Sequence, residues 1–457
     1  MSASCFLSEH AAPTPVDLVK SDALDAYLGA QSEYATAILK SEGFTAAEGN
    51  LVRLPDMTGN LSRIVFGLGR AEDGLAVAKL ASSLKGGVYR FDYVPDDADI
   101  LTLSVAWADG AYAFTRYKKR AADAPQLVLP DAEGFTQAQA YESAISLLRD
   151  LVNTPAQDMG PSQLQAEIET MAQAFGASVT ATIGDDLLAA NYPMVHAVGR
   201  AAKDAPRVVE LEWGDPSHPK LAIVGKGITF DTGGLDLKGG GNMRLMKKDM
   251  GGSAHAIALA RLVMSHNLPV QLKLIVSAAE NAIGADAFRP GDVLETRKGI
   301  TVEIDNTDAE GRLVLGDALV RAQEDKTPDL LIDFATLTGA ARVALGPEVA
   351  PFYTDDDALA LSIAASSARV SDPAWRMPLW KPYMSMLKSS IADCQNSAAS
   401  PMGGSITAAL FLSKFVEIKS WVHWDVWAWR HAKYGNPEGA AACGLRAMFD
   451  VLKGRYC

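Results

Sequence analysis

The segment Asn306-Thr307-Asp308-Ala309-Glu310-Gly311-Arg312 carries an amide, two carboxylates and a guanidinium at alternate positions. In an extended chain alternate side chains share a face, so this spacing predicts all four on one side. Carboxylates crowded in that way are costly unless cations neutralise them. A second cluster, Lys226-Gly-Ile-Thr-Phe-Asp231-Thr-Gly-Gly with Lys238 and Asp249 beyond it, supplies further ligand types. Ionised Asp231, Asp249, Asp308 and Glu310 bring four negative charges, which two divalent cations would balance. The expectation is a two-metal hydrolytic centre. Hard oxygen ligands suit Mg²⁺ or Mn²⁺, and one added nitrogen also suits Zn²⁺ or Co²⁺.

Lys226 follows an apolar run between two glycines and is expected on the first turn after a strand. It ligates a metal only as the neutral amine, which a nearby dication and burial would favour. Lys238 and Arg312 stay cationic, suited to stabilising a tetrahedral oxyanion or to holding a small anion that relays a proton. The chain has seven histidines, none inside either cluster and none in an HExxH pair. With no histidine or cysteine nucleophile at hand, a metal-activated water is the expected attacker.

Other residues have plainer readings. His423 and Asp425 on a tryptophan-rich strand are expected as a satisfied core pair, and His255 as core packing. Asp305, of opposite parity to the motif, is expected to be a structural hydrogen-bonding group. Met243, Met246 and Met250 suit either the core or the wall of an apolar pocket. Gly239-Gly-Gly-Asn242 lacks the lysine pattern of a phosphate loop.

The elements that must position these residues fall into two groups. In the first 130 residues, 21–41 and 74–85 have helical periodicity, while Ser62–Leu68, Gly87–Val94 and Ile100–Trp107 read as strands. Asp109-Gly110 reads as a hairpin turn into a strand over residues 111–117. The stretch 118–130 reads as a boundary, followed by a connecting helix over 135–152 that Asn153-Thr-Pro155 stops. This gives an N-terminal domain over 1–130, a connecting helix within 131–152 and a catalytic domain over 153–457. In the last, strands at Leu221–Val224, Leu272–Ala278, Leu330–Phe334 and Trp421–Trp427 alternate with helices at Ser253–His266, Leu313–Glu324 and Ile406–Phe415. That order predicts an α/β fold, doubly wound, with a mostly parallel central sheet covered by helices. Binding sites in such sheets collect beyond the carboxyl ends of the strands, where Lys226, Asp231 and Thr336 are expected.

At 457 residues the chain is too long for one core. Its net charge of −13 argues against general affinity for nucleic acid. Four scattered cysteines form neither a disulfide framework nor a thiolate zinc site. With no membrane-length apolar run and no leader pattern at the N-terminus, a cytoplasmic location is expected.

Taken together, Val224-Gly-Lys226-Gly-Ile-Thr-Phe-Asp231-Thr-Gly-Gly, Lys248-Asp249-Met-Gly and Asn306-Thr-Asp-Ala-Glu-Gly-Arg-Leu313 resemble the cytosol (leucyl) aminopeptidase family. Asn153-Thr-Pro, Asp333-Phe-Ala-Thr-Leu-Thr-Gly339-Ala, Gly403-Gly-Ser-Ile-Thr-Ala-Ala-Leu-Phe411 and His423-Trp-Asp425 extend the likeness over residues 135–457. The resemblance implies release of N-terminal residues from peptides, with leucine or other apolar residues preferred. It implies two metals, zinc with manganese, magnesium or cobalt accepted at one position. Lys226, Asp231, Asp249, Asp308 and Glu310 would hold them, Asp231 and Glu310 bridging. Lys238 and Arg312 match the catalytic lysine and arginine, the latter holding bicarbonate. Asn306, Thr336, Leu337 and Gly339 match positions lining the substrate site, where Met246 is a further candidate. A homo-hexamer enclosing its active sites is implied as well.

The departures lie around these residues. Arg244, Lys247 and Lys248 add positive charge between Lys238 and Asp249, Gln157 replaces an asparagine, and Trp424 and Trp427 stand where smaller aliphatic residues are usual. Two competing readings are a DNA-binding hexamer on the same scaffold, which the acidic composition disfavours, and a dinuclear phosphoesterase.

Overall fold

The computed structural model describes residues 4–70, 74–120, 123–430 and 438–457. The chain divides into two compact units, one built from residues up to Ser146 and the other from Leu147–Arg430 with Ala440–Cys457. The helix Ala132–Asn153 carries the point of division.

The first unit is a six-stranded sheet in the order Phe6–Leu7, Gln126–Val128, Val88–Tyr93, Thr14–Lys20, Leu61–Gly69, Leu51–Pro55. All neighbours are parallel except the last pair. The helical stretch expected over 21–41 is two helices, Leu24–Gly29 and Glu33–Ser41, the second capped by Ser32, whose side chain accepts from Ala35 N. The expected strand over Ile100–Trp107 is instead the helix Ile100–Ala111, and residues 112–117 form no strand. The helix is buried on nearly every side, so its apolar run shows no period to separate it from a strand. Asp99 is the local signal for a helix here: it caps the helix by accepting from Leu101 N and Thr102 N. Gly110 is therefore no turn residue. A Cβ there would lie 2.0 Å from the Ala78 carbonyl oxygen, so glycine allows the helices Val77–Ser83 and Ile100–Ala111 to touch.

The second unit is built on an eight-stranded sheet. Its order is Ala374–Arg376, Ala350–Tyr353, Trp421–Asp425, Leu330–Ala335, Lys220–Asp231, Gln271–Asn281, Arg207–Trp213, Ser178–Ile183. The four central strands, Trp421–Asp425 to Gln271–Asn281, run parallel. Antiparallel pairings flank them on both sides. The helix Gly251–Ser265 leads from Lys220–Asp231 to its neighbour on one side; the helix Gly311–Gln323 then leads to Leu330–Ala335 on the other. The two helices cover opposite faces of the sheet. Gly225 abuts Ser253 and Ala256, whereas Ala222, Val224 and Ile228 share a core with Leu313, Leu315 and Leu319. The connection leaving Lys220–Asp231 and the one leaving its neighbour Leu330–Ala335 run to opposite sides of the sheet, which opens a crevice at the carboxyl ends of these two strands.

Candidate metal centre

The site is assembled at that crevice. The strand expected to end at Val224 runs on to Asp231, so Lys226 lies inside it rather than on the following turn, and Asp231 is its last residue. The side chain of Lys226 passes under the start of the helix Gly311–Gln323. A Cβ on Gly311 would meet Lys226 Cε at 2.4 Å, so only glycine lets the helix begin there. Lys226 Nζ then sits 2.7 Å from Asp249 Oδ2 and 3.0 Å from Glu310 Oε1, and donates to the Thr336 carbonyl at 3.0 Å.

Asp231 is opposite Asn281 in the register of the two parallel strands, just after an irregularity in their ladder. Asp231 Oδ1 accepts from Asn281 Nδ2 and Gly233 N, both at 2.8 Å. Its other oxygen lies 2.7 Å from Lys238 Nζ, which also pairs with Asp308. Asp231, Asp308 and Glu310 each offer a carboxylate oxygen within 4.8 Å of one another.

The segment carrying Asp308 and Glu310 is a turn running into a helix, not an extended strand as its alternation suggested. Asn306 Oδ1 accepts from Asp308 N at 2.8 Å, which curls the backbone and leaves Asn306 as a shaper of the loop. The carboxylates of Asp308 and Glu310 converge all the same. Arg312, in the first turn of the helix, donates to the Asn396 carbonyl at 2.7 Å, and its Nε is buried without a partner among the described residues. Thr336, just past its strand, donates from Oγ1 to Asp249 Oδ1 at 2.9 Å. Leu337 N and Thr338 N both donate to Asp425 Oδ1 at 3.0 Å. Gly339 opens the next helix facing open space, and Met246 is buried in the segment ahead of Asp249.

Four carboxylates of this cluster face two closely paired ammonium groups, Lys226 and Lys238, with Lys248 farther off at 4.0 Å from Asp249, so negative charge outnumbers the closely paired positive charge in a largely buried place. Asp308 registers it: burial first, then Asp231, push its carboxyl up to about 7. Burial alone would lower Lys226, but Asp249, Glu310 and Asp231 outweigh it and raise its pKa, so the neutral amine expected from the sequence requires a cation to oppose them. Burial brings Arg312 down to about 10, against the pull of Glu310 and Asp425. Glu310 Oε2 is buried with no hydrogen-bond partner among the described residues. An orphaned carboxylate oxygen beside excess negative charge fits a cation ligand.

The plainer readings divide. His255 is held in the core between the Gly251 carbonyl and Cys443 N, and Asp305 accepts from Ser397 Oγ. His423 is buried, but its partner is Asp333 at 2.6 Å, in register on the next strand, and not Asp425. Asp425 instead anchors the loop after Ala335. Trp424 packs against Phe334 and Phe352 in the core and narrows no pocket. Several residues that shape the site carry little signal of it in the sequence. Asn281 orients Asp231. Thr307 Oγ1 donates to the Gly233 carbonyl at 2.7 Å and Thr307 N donates to Asp236 Oδ2 at 2.7 Å, tying the two motifs together. Only the polar pair Glu280-Asn281 closing an apolar strand could have hinted at the first.

Residues 146–449 match the cytosol aminopeptidase family, catalytic domain, and residues 14–130 the M17 aminopeptidase N-terminal domain. The cytosol aminopeptidase structure from Coxiella burnetii superposes with a TM-score of 0.94 at 42% identity, covering 100% of both chains. Peptidase B of Enterobacter sp. (strain 638) is 41% identical over 70% of this chain and 78% of its own length. The bottromycin maturation enzyme BotP, in complex with Mn, superposes with a TM-score of 0.86 at 31% identity, over 98% of this chain and 100% of that one. Fold and similarity define the class: a metal-dependent exopeptidase acting at peptide N-termini, an aminopeptidase. The chain belongs to the cytosol aminopeptidase family. Among the described residues no helix is long and apolar enough to cross a membrane.

Proposed function

We propose that Lys226, Asp231, Asp249, Asp308 and Glu310 hold two divalent cations, zinc or manganese with magnesium or cobalt as substitutes, and that this centre removes N-terminal residues from peptides. One observation carries the reading: three carboxylates whose oxygens lie within 4.8 Å of one another, in a cluster whose charge two lysines leave uncompensated. Bound cations would supply Lewis acidity and lower the pKa of water.

The chain's own groups do the rest. Asn281 and Gly233 N fix Asp231 by occupying one of its oxygens. Thr336 fixes Asp249 in the same way. Lys238, beside Asp231 and Asp308, is placed to stabilise negative charge developing on a substrate carbonyl. The unpartnered Nε of Arg312 is a donor for a small anion, bicarbonate by the family likeness, that would take up and return a proton. Asn306, Thr336, Leu337, Gly339 and Met246 are assigned to the substrate side. A homo-hexamer and a cytoplasmic location complete the proposal, resting on the family.

The test combines metal analysis of the purified protein with turnover of leucine p-nitroanilide. Lys238→Ala and Arg312→Ala are expected to lower kcat by about 10²–10³-fold, as loss of a charge-stabilising donor does. Full turnover by either variant refutes the role given to that residue. Protein that binds fewer than two ions refutes the ligand assignment.

A further inference from the structure

Beside Asp249 the chain carries Lys248, and a second cation, Arg342, shares its aromatic neighbour. Lys248 is 2% exposed, yet among the described residues its ammonium donates no hydrogen bond; the nearest carboxylate oxygen, Asp249 Oδ1, is 4.0 Å away. It lies instead over the Trp427 ring, 4.0 Å from the centroid. The guanidinium carbon of Arg342 sits over the same ring at 4.2 Å, and Arg342 makes no ion pair among the described residues. Arg342 belongs to the helix that opens at Gly339, and with Trp427 it lines a small cavity shared with Thr338 and Asp425.

The placement of Trp427 is constrained from both sides. Two residues before it, Asp425 holds Leu337 and Thr338 by hydrogen bonds. Directly after it, Ala428 adopts φ +57°, a left-handed conformation that a residue with a Cβ takes only when its surroundings impose it. An ammonium whose nearest carboxylate oxygen is 4.0 Å away is weakly coordinated, and an aromatic face offsets only part of the cost of its burial. An anionic group brought by the ligand would complete the coordination of both cations.

We propose that Lys248, Trp427 and Arg342 form the subsite for the N-terminal side chain of the substrate, and that this subsite selects side chains ending in a carboxylate. The inference rests on the aminopeptidase centre proposed above. The methylenes of glutamate would lie on the indole while the carboxylate meets the two cations. This reverses the apolar preference that family likeness suggests.

The experiment compares kcat/KM of the manganese-loaded enzyme on glutamyl, glutaminyl and leucyl p-nitroanilides. Glutamate and glutamine are nearly isosteric, so their ratio isolates charge. The expected result is a preference for glutamyl over glutaminyl of about tenfold or more, the size of one hydrogen bond between charged groups. That preference should collapse in Lys248→Met and diminish in Arg342→Gln, mainly through KM. Because Lys248 is buried, Arg342→Gln on the exposed helix provides the reading if Lys248→Met fails to fold. A wild-type preference for glutamine or leucine overturns the proposal, as does a glutamyl/glutaminyl ratio that neither variant moves. Absence of turnover on all three substrates would instead bring down the metal centre beneath it.

Discussion

Asn281 Nδ2 donates to Asp231 Oδ1 at 2.8 Å and, with Gly233 N on the same oxygen, sets which way a candidate metal ligand faces. The two residues are cross-strand partners on adjacent parallel strands, so sheet register brings them together. Asn281 also donates to the Thr307 carbonyl at 3.1 Å, so it links the strand end to the loop bearing Asp308 and Glu310.

Removing that link should loosen the centre without touching a ligand. Asn281→Ala is expected to weaken metal binding by about 10–100-fold, the usual effect of losing a group that orients a ligand. Titration against a competing chelator measures it; wild-type affinity in the variant would show that Asp231 needs no such support.

Gly311 tests the close approach of helix and lysine. In Gly311→Ala the new Cβ would lie 2.4 Å from Lys226 Cε, and the lysine, enclosed by Asp249, Glu310 and the Thr336 carbonyl, has little room to retreat. Overpacking of this kind costs about 1–3 kcal/mol. A lower melting temperature together with reduced metal content is expected. Gly239→Ala, where a Cβ would meet nothing within 4 Å, is the control and should change neither. Equal melting of the two variants would disprove the tight contact.

His255 should contribute an acid-sensitive part of stability. Burial holds its pKa down to about 4 against an ordinary 6.5. The unfolded chain therefore takes up a proton near pH 6.5 that the folded protein refuses until about pH 4, so stability falls as pH drops through that window. The geometry agrees, because Nε2 accepts from Cys443 N and cannot do so once protonated. The full effect is on the order of 3 kcal/mol. Melting temperatures of wild type and His255→Gln between pH 4 and 7 give the difference directly. Curves that stay parallel over the whole range would contradict a neutral buried histidine.

Much of the catalytic unit was legible in the sequence, because its information is local. Buried parallel strands read as unbroken apolar runs, helices as periodic ones, and the polar motifs stand out between them, so the alternation over Leu221–Asp425 located strands, helices and the ligand-bearing loops. In the first unit the same reasoning failed at Ile100–Ala111, where burial on all sides erases the period and only the capping Asp99 marks a helix.

The sequence by itself determined the chemistry available: which carboxylates, lysines and arginine exist and in what order along the chain. Tertiary structure decided who meets whom. Lys226 beneath Gly311, Asp231 against Asn281, His423 with Asp333 rather than Asp425, and Lys248 on Trp427 all depend on sheet register and helix placement. Those contacts join residues from separate segments of the chain, and no local spacing encodes them.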